Sequence, residues 1–364
     1  MPGNEVKQGF ITLIANPLAA DLDHILVHMQ GLWEDLRGRR IFITGGTGFF
    51  GCWLLESLAW ANDRHDLGAQ ATVLTRSPDA FQHAMPHLAG HPAIQLHTGD
   101  VRSFEFPRGE FSHVIHAATE ADVRVMAADP LQVFDVNVEG TRRVLEFATQ
   151  AGARRFLFTS SGAIYGRQPP ELERIPEDFP GGPDPTDTLS AYGIPGEAKR
   201  AAESLCALYA RQFGLATVIA RCFTFVGPYL PLDGKFAIGN FIRDALAGGT
   251  IRVEGDGTPH RSYLYAADLA VWLWTILLRG AAGHAYNVGS EKSLPISQVA
   301  QSVRDNITPA QALQITLTPN PEQHPSRYVP STHKARTELA LHETMDLRDA
   351  IRRTLMWHEQ LPRT

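Results

Sequence analysis

Three glycines spaced three apart, Gly45, Gly48 and Gly51, sit in the run Thr44-Gly45-Gly46-Thr47-Gly48-Phe49-Phe50-Gly51, directly after the apolar stretch Ile41-Phe42-Ile43. The chemistry available to such a turn is anion binding by backbone N–H groups. The first glycine permits a tight turn and the second lets the main chain approach a pyrophosphate. The third lets the following helix pack on its strand, so that phosphates meet the positive end of that helix. A glycine-rich turn that merely joins two core elements has the same glycines. The strand before it and the helical spacing of apolar residues from Phe49 to Leu58 favour a dinucleotide. Three further positions lie at the ends of later strands, where such a ligand would extend. Asp100 follows an apolar strand, where its carboxylate would accept from an adenine amino group or cap a helix. Ala117 and Ala118 are small enough to admit a cofactor, and equally suited to tight packing. At the end of the second strand, where an acid binds the ribose of NAD, the chain has Thr75-Arg76 and no acid before Asp79. Arg76 tilts the expectation toward NADP; an exposed surface arginine beside a site that takes NAD is the alternative.

The elements that must position these residues alternate regularly. Strands are predicted at Thr72–Thr75, Ile94–Leu96, His113–His116, Arg155–Ser160 and Thr217–Arg221, with helices over Pro130–Gln150 and about Pro195–Phe213. Repeated strand–helix units with apolar strands imply an α/β fold, a doubly wound parallel sheet with helices on both faces. From Gly227 the elements shorten and the loops grow richer in Pro and Gly, as expected of a smaller C-terminal substrate lobe. The expected organisation is an extension over 1–38, a dinucleotide-binding domain over 39–227 to which the chain returns at about 262–290, and a substrate lobe over 228–364. In the extension, Leu22, Ile25, Leu26, Met29, Leu32 and Trp33 recur at helical spacing, so Asp21–Leu36 is expected to be one amphipathic helix, docked on the body or used in an oligomer. Pro-rich stretches at 167–185 and 319–330 are expected to be ordered loops near a cleft, or plain surface connections. Helix Leu269–Leu278 is expected to be capped by Asp268.

With 364 residues, 44% hydrophobic and 20% charged, the composition is that of a soluble globular protein, and the net charge of −6 gives no reason to expect nucleic acid or an anionic membrane as partner. The three cysteines, Cys52, Cys206 and Cys222, are expected to be reduced core residues with no zinc site. No apolar run is long enough to span a bilayer, and a cytoplasmic location is expected.

Several segments, in order, resemble the extended short-chain dehydrogenase/reductase family, in particular its NAD(P)-dependent nucleotide-sugar epimerases and dehydratases. They are the glycine turn, Gly99-Asp100-Val101, His116-Ala117-Ala118, Asn137-Val138-Glu139-Gly140-Thr141, Ser160-Ser161-Gly162-Ala163-Ile164-Tyr165-Gly166, Ser190-Ala191-Tyr192-Gly193, Arg221–Pro228, and Gly255-Asp256-Gly257 followed by Arg261 and Asp268. The resemblance covers about residues 38–360. It implies a Rossmann fold, NAD or NADP as cofactor, a nucleotide-diphosphate sugar as substrate and a homodimer. Cofactor contacts are implied at Gly45, Thr47, Gly48, Phe49, Phe50, Gly51, Arg76, Asp100, Val101, Ala117, Ala118, Lys199 and Cys222, and substrate contacts at Thr224, Asn240, Arg261 and Arg327. Thr224 stands where the family often has asparagine.

The resemblance also implies a catalytic set. A tyrosine removes the sugar hydroxyl proton, a lysine lowers that tyrosine's pKa from about 10, and a serine or threonine holds the same oxygen. Ser161 fits the third role, with a strand-end cap as its alternative. Tyrosine and lysine normally stand four apart, whereas Tyr192 and Lys199 are seven apart, with Gly193, Pro195 and Gly196 between them. On a continuous helix the axial offset would grow from about 6 Å to about 10 Å. Pro195 suits a first helical turn, so the helix is expected to start there. Either Tyr192 loops back to the usual place, or Pro195 occupies it and the usual base is missing; Tyr165 is the substitute, or packs beside the cofactor. Dehydratases of the family carry Asp-Glu directly after the serine or threonine, and related decarboxylases usually keep the glutamate. Gly162 and Ala163 stand there in this chain. Small residues resemble the epimerases, which makes epimerase the leading expectation. Dehydratase, ketoreductase and a non-catalytic dinucleotide-binding protein are the alternatives.

Overall fold

The computed structural model describes residues 16–120, 125, 128–188, 190, 192–234 and 236–360; Ala191 and the first part of the extension lie outside them. Seven strands form the central sheet: β1 (Arg40–Thr44), β2 (Gln70–Thr75), β3 (Ile94–Thr98), β4 (His113–His116), β5 (Arg155–Ser161), β6 (Ala216–Cys222) and β7 (Ala285–Val288). Their order is β7-β6-β5-β4-β1-β2-β3, and every pairing is parallel. Strands such as Ile41–Thr44 and His113–His116 are buried along their length, as expected of a sheet covered on both faces. The chain winds outward from β1 through β2 and β3, then returns to place β4 on the other side of β1. A crevice therefore opens at the carboxyl ends of β1 and β4, the usual ligand site of this topology.

The covering helices are α1 (Ala19–His28), α2 (Phe49–His65), α3 (Pro130–Gln150), α4 (Ile194–Phe213), α5 (Ala237–Leu246), α6 (Ala266–Arg279) and α7 (Leu347–Gln360). Helix α6 is buried from Ala266 to Leu278, which accounts for its apolar character on every side. Arg155 of β5 donates to the Leu277 and Gly280 carbonyls, which meets the unpaired groups at its C-terminal end.

Two expectations need correction. The extension holds not one helix but α1 followed by a 3₁₀ turn, Trp33–Leu36, because Gly31 adopts φ +80° between them. Its apolar face is used on the body: Leu22, Ile25, Met29, Trp33 and Leu36 are buried, each worth about 1.5–3 kcal/mol. Asp268 does not cap the helix, which starts at Ala266 behind Tyr265 and has no side-chain cap. From the first turn of α6 its carboxylate accepts from the backbone N–H groups of Thr344 and Met345 and from the Thr344 hydroxyl, and so holds the segment before α7. Asp21 of α1, buried, accepts from the Tyr265 hydroxyl (2.7 Å) and from Arg353 of α7. The three cysteines are free and buried, as expected. Among the described residues no cluster of metal-binding side chains occurs, and no helix is long and apolar enough to cross a membrane.

Candidate active site

The glycine turn at the end of β1 has the shape a pyrophosphate needs. Gly45 has φ +70°, and a Cβ there would lie 2.5 Å from the Ala117 carbonyl carbon, so the turn presses against the end of β4. A Cβ on Gly51 would lie 2.3 Å from the Gly45 oxygen, which fixes how closely α2 approaches the turn. Gly48 differs: a Cβ there would meet only the Gly45 oxygen, at 3.5 Å, with open space beyond. Gly48 is also the N-cap of α2, with no side chain capping the helix, which leaves the N–H groups of its first turn for a ligand or water to meet. These residues fit a dinucleotide pyrophosphate. Thr47 is exposed at the rim, while Phe49 and Phe50 are half-buried, Phe50 edge-on to Phe225 at 5.1 Å. Behind the turn, fully buried His116 joins β1 to α3. Thr141 spends its hydrogen on the Asn137 carbonyl (2.5 Å), so His116 Nε2 donates to Thr141 (2.9 Å) and Nδ1 accepts from Thr44 (2.6 Å). Burial holds the His116 pKa down to about 3, and the ring is neutral.

At the far end of the crevice, Arg76 stands exposed just after β2. Asp100 accepts from Arg102 Nε and Nη2 at 2.9 and 3.0 Å and from the Arg102 backbone N–H. Arg102, with Arg76 adding its charge, holds the Asp100 carboxyl below the usual carboxylate range. Val101 lies just within the core beside them. This edge presents two guanidinium groups and one committed carboxylate.

Ser161 ends β5, with its Oγ accepting from the Ala163 N–H at 3.1 Å, so the capping role is real. Helix α4 starts at Ile194, which places Pro195 in its first turn, four residues before Lys199. Tyr192 therefore lies before the helix. Its ring meets that of Tyr328 edge-on at 5.7 Å, and the Arg167 guanidinium stands 5.9 Å from its centre. Burial pushes the Tyr192 phenol up, with Arg261 and Arg167 pulling the other way. Buried Lys199 donates from Nζ to the Thr159 carbonyl at 2.9 Å and lies 4.8 Å from the Phe158 ring centre. Its charge acts on His116, Cys206 and Cys222. Cys222, opposite Ser161 in the sheet, is pushed up to about 12 by burial. Tyr165 is neither base nor open to a cofactor: its hydroxyl donates to Asn287 and accepts from Arg221, both at 2.8 Å.

The substrate-side expectations divide. Strand Arg327–Tyr328 pairs in parallel with His260–Arg261, Arg327 opposite His260 and Tyr328 opposite Arg261. Arg261 thus shares a face with Tyr328, its guanidinium 6.0 Å from that ring, and faces the Ser161 region. Arg327 turns the other way, into a polar cavity with His260, Arg174 and Glu291. The expected second phosphate contact at Arg327 is therefore not brought to Arg261, because neighbouring strand residues point to opposite faces. Thr224 donates to the Ser262 carbonyl, and Asn240 on α5 accepts from Arg243 at 3.2 Å. Sequence reasoning missed Tyr328, whose hydroxyl lies 3.5 Å from Ser161 Oγ, and Phe223, whose ring packs on it at 4.7 Å. The Pro-rich stretch 319–330 was the available signal for Tyr328.

Comparison with known proteins agrees with this geometry. The model of the NAD dependent epimerase/dehydratase family matches residues 41–289. UDP-glucuronic acid decarboxylase 5 of Arabidopsis thaliana is 30% identical over 312 residues, 86% of this chain and 87% of the relative. UDP-glucuronic acid decarboxylase 1 of Danio rerio is 28% identical over 319 residues, 88% and 72% respectively. Among solved structures, a Thermus thermophilus UDP-glucose 4-epimerase in complex with NAD superposes with a TM-score of 0.72 at 25% identity, covering 88% of this chain and 99% of that one. A Streptomyces venezuelae dTDP-glucose 4,6-dehydratase with NAD bound gives a TM-score of 0.72 at 24% identity, covering 88% and 97%. A parallel sheet with its glycine turn at the β1–β4 crevice, and a family match over more than half its length, lead to one conclusion: the chain belongs to the NAD dependent epimerase/dehydratase family, among the extended short-chain dehydrogenases/reductases.

Proposed function

We propose that the protein binds NAD or NADP in the β1–β4 crevice and epimerises a nucleotide-diphosphate sugar through a transient keto intermediate. The observation that carries this reading is the absence of any carboxylate at the two positions after Ser161. Gly162 and Ala163 stand there, and a Cβ on Gly162 would already lie 2.7 Å from Phe223 and 2.8 Å from the Tyr328 hydroxyl. Loss of water needs a proton donor and acceptor at that point, and the family's decarboxylases usually keep a glutamate at the second position. Epimerisation needs only oxidation, rotation of the keto group and reduction from its other face. When bound, the dinucleotide supplies the hydride acceptor. The chain's own groups do the rest. The Ser161 hydroxyl holds the reacting oxygen, Lys199 sets a buried cation behind β5, and Tyr192 is the candidate proton acceptor. Arg261 pairs with the diphosphate.

Self-association through two helices per subunit is a further proposal that rests on the family resemblance. The deciding experiment is incubation with UDP-, dTDP-, GDP- and CDP-sugars and either dinucleotide, followed by mass and NMR analysis. An isomer of unchanged mass supports epimerase. Loss of water or of carbon dioxide, or gain of two hydrogens from the reduced dinucleotide, replaces it with dehydratase, decarboxylase or ketoreductase. Tight dinucleotide binding without conversion leaves a non-catalytic binding protein.

A further inference from the structure

We propose that Tyr328 supplies the phenol beside Ser161, so that the two hydroxyls together hold the reacting oxygen of the substrate. The inference rests on the reading that the β1–β4 crevice holds a dinucleotide, and it assigns a residue that lies on none of the segments carrying the family resemblance. Helix α4 offers no phenol one turn before Lys199, because Pro195 stands there, and a proline side chain exchanges no proton. Tyr328 reaches the same neighbourhood from a different element. Its strand is held beside Arg261, and its hydroxyl comes within 3.5 Å of Ser161 Oγ from a position 167 residues away in the chain.

Three features show a seat built for this side chain. The ring is gripped by Phe223 on one side (4.7 Å between centres, 35° between planes) and by Tyr192 on another (5.7 Å, 70°). The hydroxyl occupies space that a side chain at position 162 would fill, since a Cβ on Gly162 would lie 2.8 Å from it. Gly162 and Tyr328 are therefore complementary: the glycine that removes the dehydratases' acid is the one that admits this phenol. Finally, Tyr328 lies between Ser161 and Arg261, the span a sugar must cross if Arg261 holds its diphosphate. Ser161 accepts from the Ala163 N–H, which leaves the serine hydrogen to point toward the same oxygen. Tyr192, on this view, braces Tyr328 through its ring.

The test uses the full chain with 3-fluorotyrosine at its eight tyrosines and the Tyr328→Phe, Tyr192→Phe and Ser161→Ala variants. Tyr328→Phe removes one oxygen and keeps the ring in its grip, and it identifies the fluorine signal of residue 328 by its loss. The expected result is that Ser161→Ala shifts that signal and that NAD or NADP shifts it again. A 328 signal indifferent to Ser161→Ala overturns the proposal, whether or not any sugar is converted. Fluorescence titration with NADPH and NADH is run alongside. Failure of both to bind removes the proposed function, while the Ser161→Ala shift still reports on the pairing. On whichever nucleotide sugar the panel shows to be converted, Tyr328→Phe should lower kcat about 100-fold or more with KM within about 3-fold, a larger loss than Tyr192→Phe causes. The reverse order of the two losses returns the role to Tyr192 and overturns the proposal.

Discussion

Gly45→Ala and Gly48→Ala, only three residues apart, should fail for different reasons. At Gly45, φ +70° costs a residue with a Cβ about 1–2 kcal/mol. The new methyl would also sit 2.5–2.6 Å from three backbone atoms of Ala117 and Ala118, which cannot yield easily, because β4 is pinned to β1 through the Thr44–His116 bond. Crowding of that kind costs about 1–3 kcal/mol more, so a total loss of about 2–5 kcal/mol is expected. At Gly48 the backbone is extended (φ −92°, ψ −178°) and the methyl meets only the Gly45 oxygen, at 3.5 Å. Stability should stay within about 1 kcal/mol of wild type. The methyl does stand over the start of α2, where a pyrophosphate must come within hydrogen-bonding distance of the main chain. Losing one or two such bonds to a charged ligand, at about 1.5–3 kcal/mol each, should weaken the dinucleotide by at least about tenfold. Urea unfolding and fluorescence titration with NADPH and NADH measure the two effects separately. A Gly48→Ala protein that binds both dinucleotides like wild type, or a Gly45→Ala protein of undiminished stability, would refute this account of the turn.

Arg76→Asp should move the ratio of NADPH to NADH affinity toward NADH by about tenfold or more, read by the same titrations; an unchanged ratio removes Arg76 from the ribose site. Arg221 lies between Glu203 (2.8 Å), the Tyr165 hydroxyl and the Glu177 carbonyl, with only 15% of its side chain exposed, so Arg221→Leu leaves the partly buried Glu203 carboxylate without its cation and should cost about 1.5–3 kcal/mol in a urea unfolding experiment. Acid should act through two buried histidines. Burial lowers His113 to about 4 and His116 to about 3, so below pH 6.5 the unfolded chain takes up protons that the folded chain refuses. Stability should fall with pH from about 6.5 down to those values, by about 1.4 kcal/mol per pH unit for each ring, and His116→Gln should flatten the urea midpoint against pH.

Local rules carried much of the fold. The run Ile41–Gly51 announces strand, turn and helix because each signal lies within a dozen residues, and Pro195 marks the start of α4 to within one position. The strand Ala285–Val288 had no such signal, being short and placed by pairing with β6. Gly31 gives no sign in the sequence of a helix end, because the apolar spacing continues on either side of it. The candidate site was legible where the family order holds: Ser161, Lys199 and Arg261 stand out as candidates by their neighbours in sequence. Tyr328 is not, since its meeting with Ser161 depends on which of two strand faces it takes, and that is decided by pairing with His260–Arg261. The same register turned Arg327 away.

The buried carboxylate of Asp21 has a consequence for the order in which the molecule is made. Its two partners, Tyr265 and Arg353, lie 244 and 332 residues further along the chain, so the full fastening of α1 must wait until α7 has been made. Helix α1, with its apolar stripe of Leu22, Ile25 and Met29, packs against α2 and α6, which are both finished before α7. The emerging polypeptide should therefore seat α1 in two stages, against α2 and α6 first and under the Arg353 clasp only once α7 is in place.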